Sequence, residues 1–281
     1  MDDAVVAMLN ALSEGLGDST GDLLKSPAGY NGTLWQAALT INDVAVKPVA
    51  AVVLAIMVVL MLASHASRIE GDRELGIKII ASTLFKAALV IIAVRESVHF
   101  LDAINEIGTY ISGAASKANV AAASGGAVKL GDQARDDIKD AGTVKQLGML
   151  VVLLLPFIVE KVVSVVATVL IFVRFLQLYM LTAFASLPIT FFGHEDTKPM
   201  AIGYLKGYAS TVLQGVMIVF AVIFYKNLLG SWIGGNLSYN SGDDIWNWII
   251  GNFGSFLIAP AVLGFLLFGS QGLAKKIVGE G

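Results

Sequence analysis

Three histidines, His65, His99 and His194, are the natural starting points for metal or acid–base chemistry, and they stand in different segments of the chain. His65 and His194 fall in short polar connections, and His99 opens a long polar stretch. No H-E-x-x-H pair is present, so a helical zinc site lacks its two ligands. His194-Glu195-Asp196 is compact, but adjacent residues on a turn rarely converge on one ion. No G-x-S-x-G elbow and no G-x-x-x-x-G-K-[ST] phosphate loop occurs. With no cysteine, thiolate chemistry, disulfides and Cys-ligated metals are excluded. The expectation is a protein that is not an enzyme, with no catalytic residues, no metal and no cofactor.

The remaining residues with chemical potential are charges inside apolar runs: Lys86, Glu160, Lys161 and Arg174. An ionisable side chain within a membrane span marks a functional or packing contact. Lys86 either snorkels or faces a protein neighbour. Glu160 and Lys161 are adjacent, so they point about 100° apart on a helix and do not pair face to face. Glu160 sits at the outer interface or lines a proton or ion path. Arg174, with Gln177 and Tyr179 beside it, is the candidate for an inter-helix or inter-subunit contact. Its partner would be a carboxylate, a carbonyl, a lipid headgroup or a nucleic-acid phosphate.

The element that must position most of these charges is Leu147–Phe192, where only Glu160, Lys161 and Arg174 are charged. A membrane span needs about 20 apolar residues, and this run is more than twice as long. On a helical wheel Glu160, Ser164, Thr168, Arg174, Tyr179, Thr182, Ser186 and Thr190 share one half of the surface. Val163, Val166, Leu170, Val173, Leu176, Phe184 and Leu187 take the other, while Ile171, Phe175 and Leu178 intrude on the polar half. A polar stripe on such a helix faces protein or a wet cavity.

The chain has 281 residues, 56% hydrophobic and 15% charged, with a mean hydropathy of +0.74. That describes a polytopic, all-α membrane protein. A net charge of −3 argues against a nucleic-acid surface built on bulk charge. The acidic start, without a basic region before an apolar core, is unlike a secretory signal.

Four segments follow. Residues 1–44 are polar, with Val5, Met8, Leu9, Leu12 and Leu16 at helical spacing, predicting a short amphipathic helix on the membrane or on a neighbouring subunit. Residues 45–94 hold two spans, Val46–Ala63 and Ile77–Val94. Residues 95–146 form a loop with helical ends and a mobile middle. Residues 147–281 hold the long helix, with a kink expected at Pro156, and spans at Tyr208–Leu229 and Ile245–Phe268. Gly203-x-x-x-Gly207 offers a close helix contact. The short-loop bases Arg68, Arg73, Lys198, Lys206, Lys275 and Lys276 are consistently cytoplasmic if Leu147–Phe192 crosses once. That gives five spans, an outside N-terminus and loop, and a cytoplasmic C-terminus. Trp232, Trp246 and Trp248 then read as an interfacial belt.

The runs RFLQLYMLTAFASLPITFFG from Arg174 and YLKGYASTVLQGVMIVFAVIF from Tyr204 resemble the TrbL-type polytopic component of bacterial conjugative type IV secretion systems. The likeness is concentrated in residues 147–229, and the N-terminal part supports it by layout. The resemblance implies a homo-oligomeric platform in the inner or cytoplasmic membrane that supports transfer of a DNA–relaxase substrate and pilus or stalk assembly. Implied partners are secretion ATPases, pilin or minor pilin, envelope subunits and membrane lipids, with the single-stranded DNA–relaxase touched at most indirectly. The alternative is a small secondary transporter or ion channel using Lys86, Glu160 and Arg174 as a relay. No internal repeat supports that alternative.

Overall fold

The computed structural model describes every residue except 15–20, 23, 67–72, 123–128, 234–238, 241 and 280–281, together with the side chains of 65–66, 73–76, 119–122, 230 and 232–233 left aside. The described residues are predominantly helical, with no strand among them. In chain order the helices are α1 (Asp2–Glu14), α2 (Pro27–Tyr30), α3 (Gly32–Ile41), α4 (Lys47–Ala66), α5 (Arg73–Arg95), α6 (Ser97–Ala122) and α7 (Leu130–Gln133). They continue with α8 (Arg135–Asp140), α9 (Gly142–Ala183), α10 (Ser186–Ile189), α11 (Lys198–Ile233) and α12 (Ile245–Val278). Among the described residues five helical stretches are long and apolar enough to cross a membrane: Gly32–Ser64, Ile77–Arg95, Gly142–Ala183, Lys198–Leu229 and Ile245–Val278. The all-α polytopic fold and the five-span count therefore hold. Leu16, Arg68 and residues 123–128 of the mobile middle expected over 117–130 lie outside the described residues, as do the side chains of Arg73 and Trp232, whereas 117–122 continue α6 and Leu130 begins α7.

The chain forms two compact units. The first comprises Met1–Leu24, Tyr110–Val173 and Gly215–Leu273. Here α1 packs on α7 and α8, burying Val5, Val6, Leu9 and Leu12. Asn10 and Ser13, on the same helix, accept from the backbone N–H groups of Asp132 (3.2 Å) and Leu130 (3.4 Å). Arg135 pairs with Asp3 at 3.0 Å and Lys129 with Glu14 at 2.8 Å. The amphipathic face expected to meet a membrane or another subunit is thus used within the chain: α7 and α8 cover it. Gly142, at φ +76°, takes the left-handed conformation that ends α8 and starts α9. The ring of Trp246 lies over Gly148, 2.6 Å from where a Cβ would be. Trp248 packs edge-on between Tyr239 (5.2 Å) and Phe256 (5.6 Å).

The second unit comprises Lys25–Thr109, Arg174–Gln214 and Ala274–Gly281. The α4–α5 hairpin closes on α10 and the 3-10 turn Thr190–Gly193. Ala50, Leu54, Val94 and Ile189 form the core there. A β-carbon on Gly193 would stand 2.9 Å from Met57 Cβ, so the turn meets α4 at its backbone. Gly203, by contrast, has open space around it, and the Gly203-x-x-x-Gly207 spacing makes no close helix contact at that glycine.

Adding a methyl group at Gly131 would drive it into the carbonyl of Val6. Gly131→Ala is therefore expected to loosen α1 by about 1–3 kcal/mol through overpacking. Hydrogen exchange should show faster exchange across Asp2–Glu14 with α4 and α5 unchanged. Unaltered protection of α1 would refute the contact.

Candidate functional site: a buried polar junction at a helix break

Pro188 determines where α9 must stop. Proline has no N–H to donate to the carbonyl four residues earlier, and its ring clashes with that turn. The backbone tightens instead: the N–H groups of Phe184, Ala185 and Leu187 donate to carbonyls three residues back, at 3.1, 3.1 and 3.2 Å. The last carbonyls of α9 thereby lose the regular four-residue helical pattern, Thr182 keeping only the tighter backbone bond from Ala185, and buried carbonyls need a further donor.

Asn42 supplies it. Its Nδ2 donates to the carbonyls of Thr182 (3.1 Å) and Ala183 (3.2 Å). Its Oδ1 accepts from Ser186 Oγ at 2.8 Å, and Ser186 Oγ meets Ser97 Oγ at 3.0 Å. Asn42 begins a five-residue π-helical turn, Asn42–Val46, between α3 and α4. Such single turns widen a helix locally and re-aim side chains. Asn42, Ser97, Thr182 and Ser186 are all fully buried. One amide thus joins the first span, the start of α6 and both sides of the break.

Two tyrosines of α11 complete the junction. Tyr204 donates to the Leu181 carbonyl at 2.7 Å. Tyr208 Oη receives Asn105 Nδ2 at 2.6 Å and lies 3.4 Å from Thr182 Oγ1. One turn along from that pair, a Cβ on Gly108 would collide with Val212, so α6 and α11 approach at a glycine.

Arg174 lies in the same unit and is 6% exposed. Its guanidinium sits over Phe175, 4.5 Å from the ring centroid. Phe175 in turn stacks on Tyr30 at 3.9 Å. Tyr179 donates to the Pro27 carbonyl at 2.8 Å and lies 6.3 Å from Trp35. Ser26 and Asn31 cap α2 and α3, which fixes the aromatic side chains that grip α9. Arg174 Nε has no hydrogen-bond partner among the described residues. Gln177 is half-buried beside this cluster.

The other sequence-level candidates lie apart. Glu160 is buried in the first unit, its Oε2 3.2 Å from Lys161 Nζ but without hydrogen-bond geometry to it. The two do not face each other on the helix, yet they come into ion contact because the flexible lysine stem reaches back across the 100° between adjacent positions. Tyr225 Oη, in the same unit, is likewise buried without a hydrogen bond. Glu160 and Arg174 are separated along α9 by roughly 21 Å at 1.5 Å per residue, too far for direct proton transfer. Lys86 is exposed on α5 and lines a separate cavity.

Sequence reasoning missed Asn42, Ser97, Asn105 and Tyr208. Asn42 stood in a segment read as polar, and Asn105 in a loop. Only their partners, about a hundred or more residues away, give them meaning. Pro188 was the available signal.

Asn42→Ala is expected to cost about 1–3 kcal/mol for the groups it leaves unpaired. A double-mutant cycle with Ser186→Ala, read by thermal unfolding in detergent, should give a coupling of about 0.5–3 kcal/mol. Strict additivity would disprove the network. Asp102, on α6 and outside the five candidate spans, has its carboxyl pushed above the ordinary range, first by burial and then by Glu106, with His99 opposing. The folded state therefore holds that proton more readily than the unfolded chain, and stability rises as pH falls through the folded value. Asp102→Asn should raise the midpoint near neutral pH and remove that part of the rise. An unchanged pH profile would contradict it.

The sequence matches the family described as "TrbL/VirB6 plasmid conjugal transfer like protein" over residues 12–186, more than half of the chain. No curated protein and no solved structure matches it. The matched residues include Asn42, Ser97, Asn105, Arg174 and Ser186. They also take in the N-terminal part that supported the resemblance by layout alone, whereas YLKGYASTVLQGVMIVFAVIF lies beyond them. A polytopic helical chain with this match belongs to the TrbL/VirB6 plasmid conjugal transfer-like family, and is a membrane subunit of conjugal transfer by type IV secretion.

Proposed function

We propose that this chain is a multi-span scaffold and channel-associated subunit that forms an oligomeric platform in the inner or cytoplasmic membrane. On this reading its N-terminus lies outside and its C-terminus in the cytoplasm. It contributes no catalysis; separate secretion ATPases drive the DNA–relaxase substrate, and pilin or envelope subunits assemble against the platform.

The observation that carries the oligomer is the outward face of α9. Met149, Leu153, Glu160, Val163, Ala167, Ile171, Phe175, Leu178 and Thr182 are buried along one side. The opposite side exposes Val151, Leu155, Ile158, Val162, Val165 and Phe172, continuing to Met180 and Phe184. From Leu147 to Phe184 that largely apolar stripe, broken by Lys161 and Thr168, runs roughly 56 Å at 1.5 Å per residue. A hydrocarbon layer of about 30 Å covers roughly 39 Å of helix even at a tilt of about 40°. Lipid therefore leaves part of the stripe uncovered, and further copies of the subunit cover the rest. For orientation, Lys206 Nζ donates to the Gly279 carbonyl at 3.1 Å. The basic ends of α11 and α12 thus lie together, in keeping with one cytoplasmic side.

The absence of native cysteine makes the test direct. Ile158→Cys and Val165→Cys should crosslink copy to copy in native membranes, and Leu153→Cys, on the buried side, should not. Light crosslinking and pull-down of a tagged copy should recover secretion ATPases and envelope subunits at a size well above one chain. Arg174→Ala should lower DNA transfer about tenfold or more, equivalent to about 1.4 kcal/mol. A monomer without those partners, showing no crosslink at either outward position, would overturn the platform.

A further inference from the structure

In the second unit a cavity of about 450 Å³ opens between the α4–α5 hairpin and the turn from Phe192 to Lys198. Its size falls in the range of about 300–1,000 Å³ usual for small-ligand sites. Lys86, Lys198, Glu195 and Asp196 line it. Lys86 stands midway along the apolar stretch Ile77–Arg95, roughly 13 Å of helix from either end. The polar turn thus meets α5 at its middle rather than at its end. Neither lysine ammonium has an ion-pair partner among the described residues, and the Glu195 carboxylate also has none. Asp196 meets only His194, at 3.6 Å. Two cations and two anions thus line one open cavity, all four exposed and none paired to another of the four, so a ligand that carries both signs of charge can engage them together. The remaining walls include Met61, Leu89 and Phe192, surfaces suited to hydrocarbon.

We propose that this cavity binds the headgroup of an aminophospholipid. The lysines Lys86 and Lys198 take its phosphate, Glu195 and Asp196 take its ammonium, and the acyl chains lie along the apolar wall. A phosphate with no attached cation meets the lysines but also faces the two carboxylates, so the balance of charge selects a zwitterion over a purely anionic headgroup. The assignment is independent of the secretion role.

The test uses the full chain in detergent, with native mass spectrometry as readout and three probes: dihexanoyl phosphatidylethanolamine, dihexanoyl phosphatidylglycerol and inorganic phosphate. The ethanolamine lipid is expected to form a one-to-one adduct at the lowest concentration. Lys86→Gln should weaken it about tenfold or more, as loss of a charge-assisted contact does. Lys198→Gln, in the exposed turn, should do the same and carries the test if the span variant does not fold. Glu195→Gln should shift the preference toward phosphatidylglycerol. Equal binding of both lipids, or lysine variants that bind like the parent, would overturn the assignment. Inorganic phosphate binding as tightly as the ethanolamine lipid would also overturn it and make the cavity a free-phosphate site.

Discussion

A helix that ends among apolar neighbours leaves carbonyl groups that water cannot reach, and the second unit depends on how that deficit is met. The amide of Asn42 meets it with two donor contacts and one acceptor contact. Because the same side chain fixes Ser186, and through it Ser97, the break is held from three directions. Irregular backbone at membrane depth is tolerated only when it is enclosed in protein, and full burial of these groups satisfies that condition. The hairpin core of Ala50, Leu54, Val94 and Ile189 follows, since Ile189 reaches it only if the chain turns after Ala183.

The long helix obeys two solvents at once. Its buried side mixes charge, hydroxyl and hydrocarbon, and its outward side is mostly hydrocarbon, broken by Lys161 and Thr168. This inverts the pattern of a water-soluble helix, yet each side is consistent with what it touches. Arg174 illustrates how a charge is kept on the buried side. The guanidinium rests on an aromatic face rather than on a carboxylate, and arginine tolerates this better than lysine because its charge is delocalised and weakly hydrated.

Much of this architecture is written in local pattern. Apolar run length identified the five spans, and the amphipathic periods of α1 and α6 were readable because they rest on residues three and four apart. The wheel put Glu160, Arg174, Tyr179, Thr182 and Ser186 on one side, and that side is buried. It drew the side too wide, however: Thr168 is exposed, and the supposed intruders Ile171, Phe175 and Leu178 are buried at its centre. Polarity alone cannot locate a face whose neighbours are themselves mixed. The junction was least legible. A hydrogen bond between Asn42 and a backbone carbonyl 140 residues away leaves no spacing to detect, and neither does a cavity formed when a turn docks halfway along α5.

That separation also has a meaning in time. Ribosomes extend a chain by about 5–20 residues per second, so Asn42 emerges roughly 7–28 s before the carbonyls it is to cap. Throughout that interval its amide has no native partner, and the first span carries an uncompensated polar group close to its entry point. The nascent helix must wait where water or the insertion machinery can solvate that amide. Only arrival of the α9 terminus lets it settle. The order of synthesis thus makes the first span of the second unit among the last to reach its final environment.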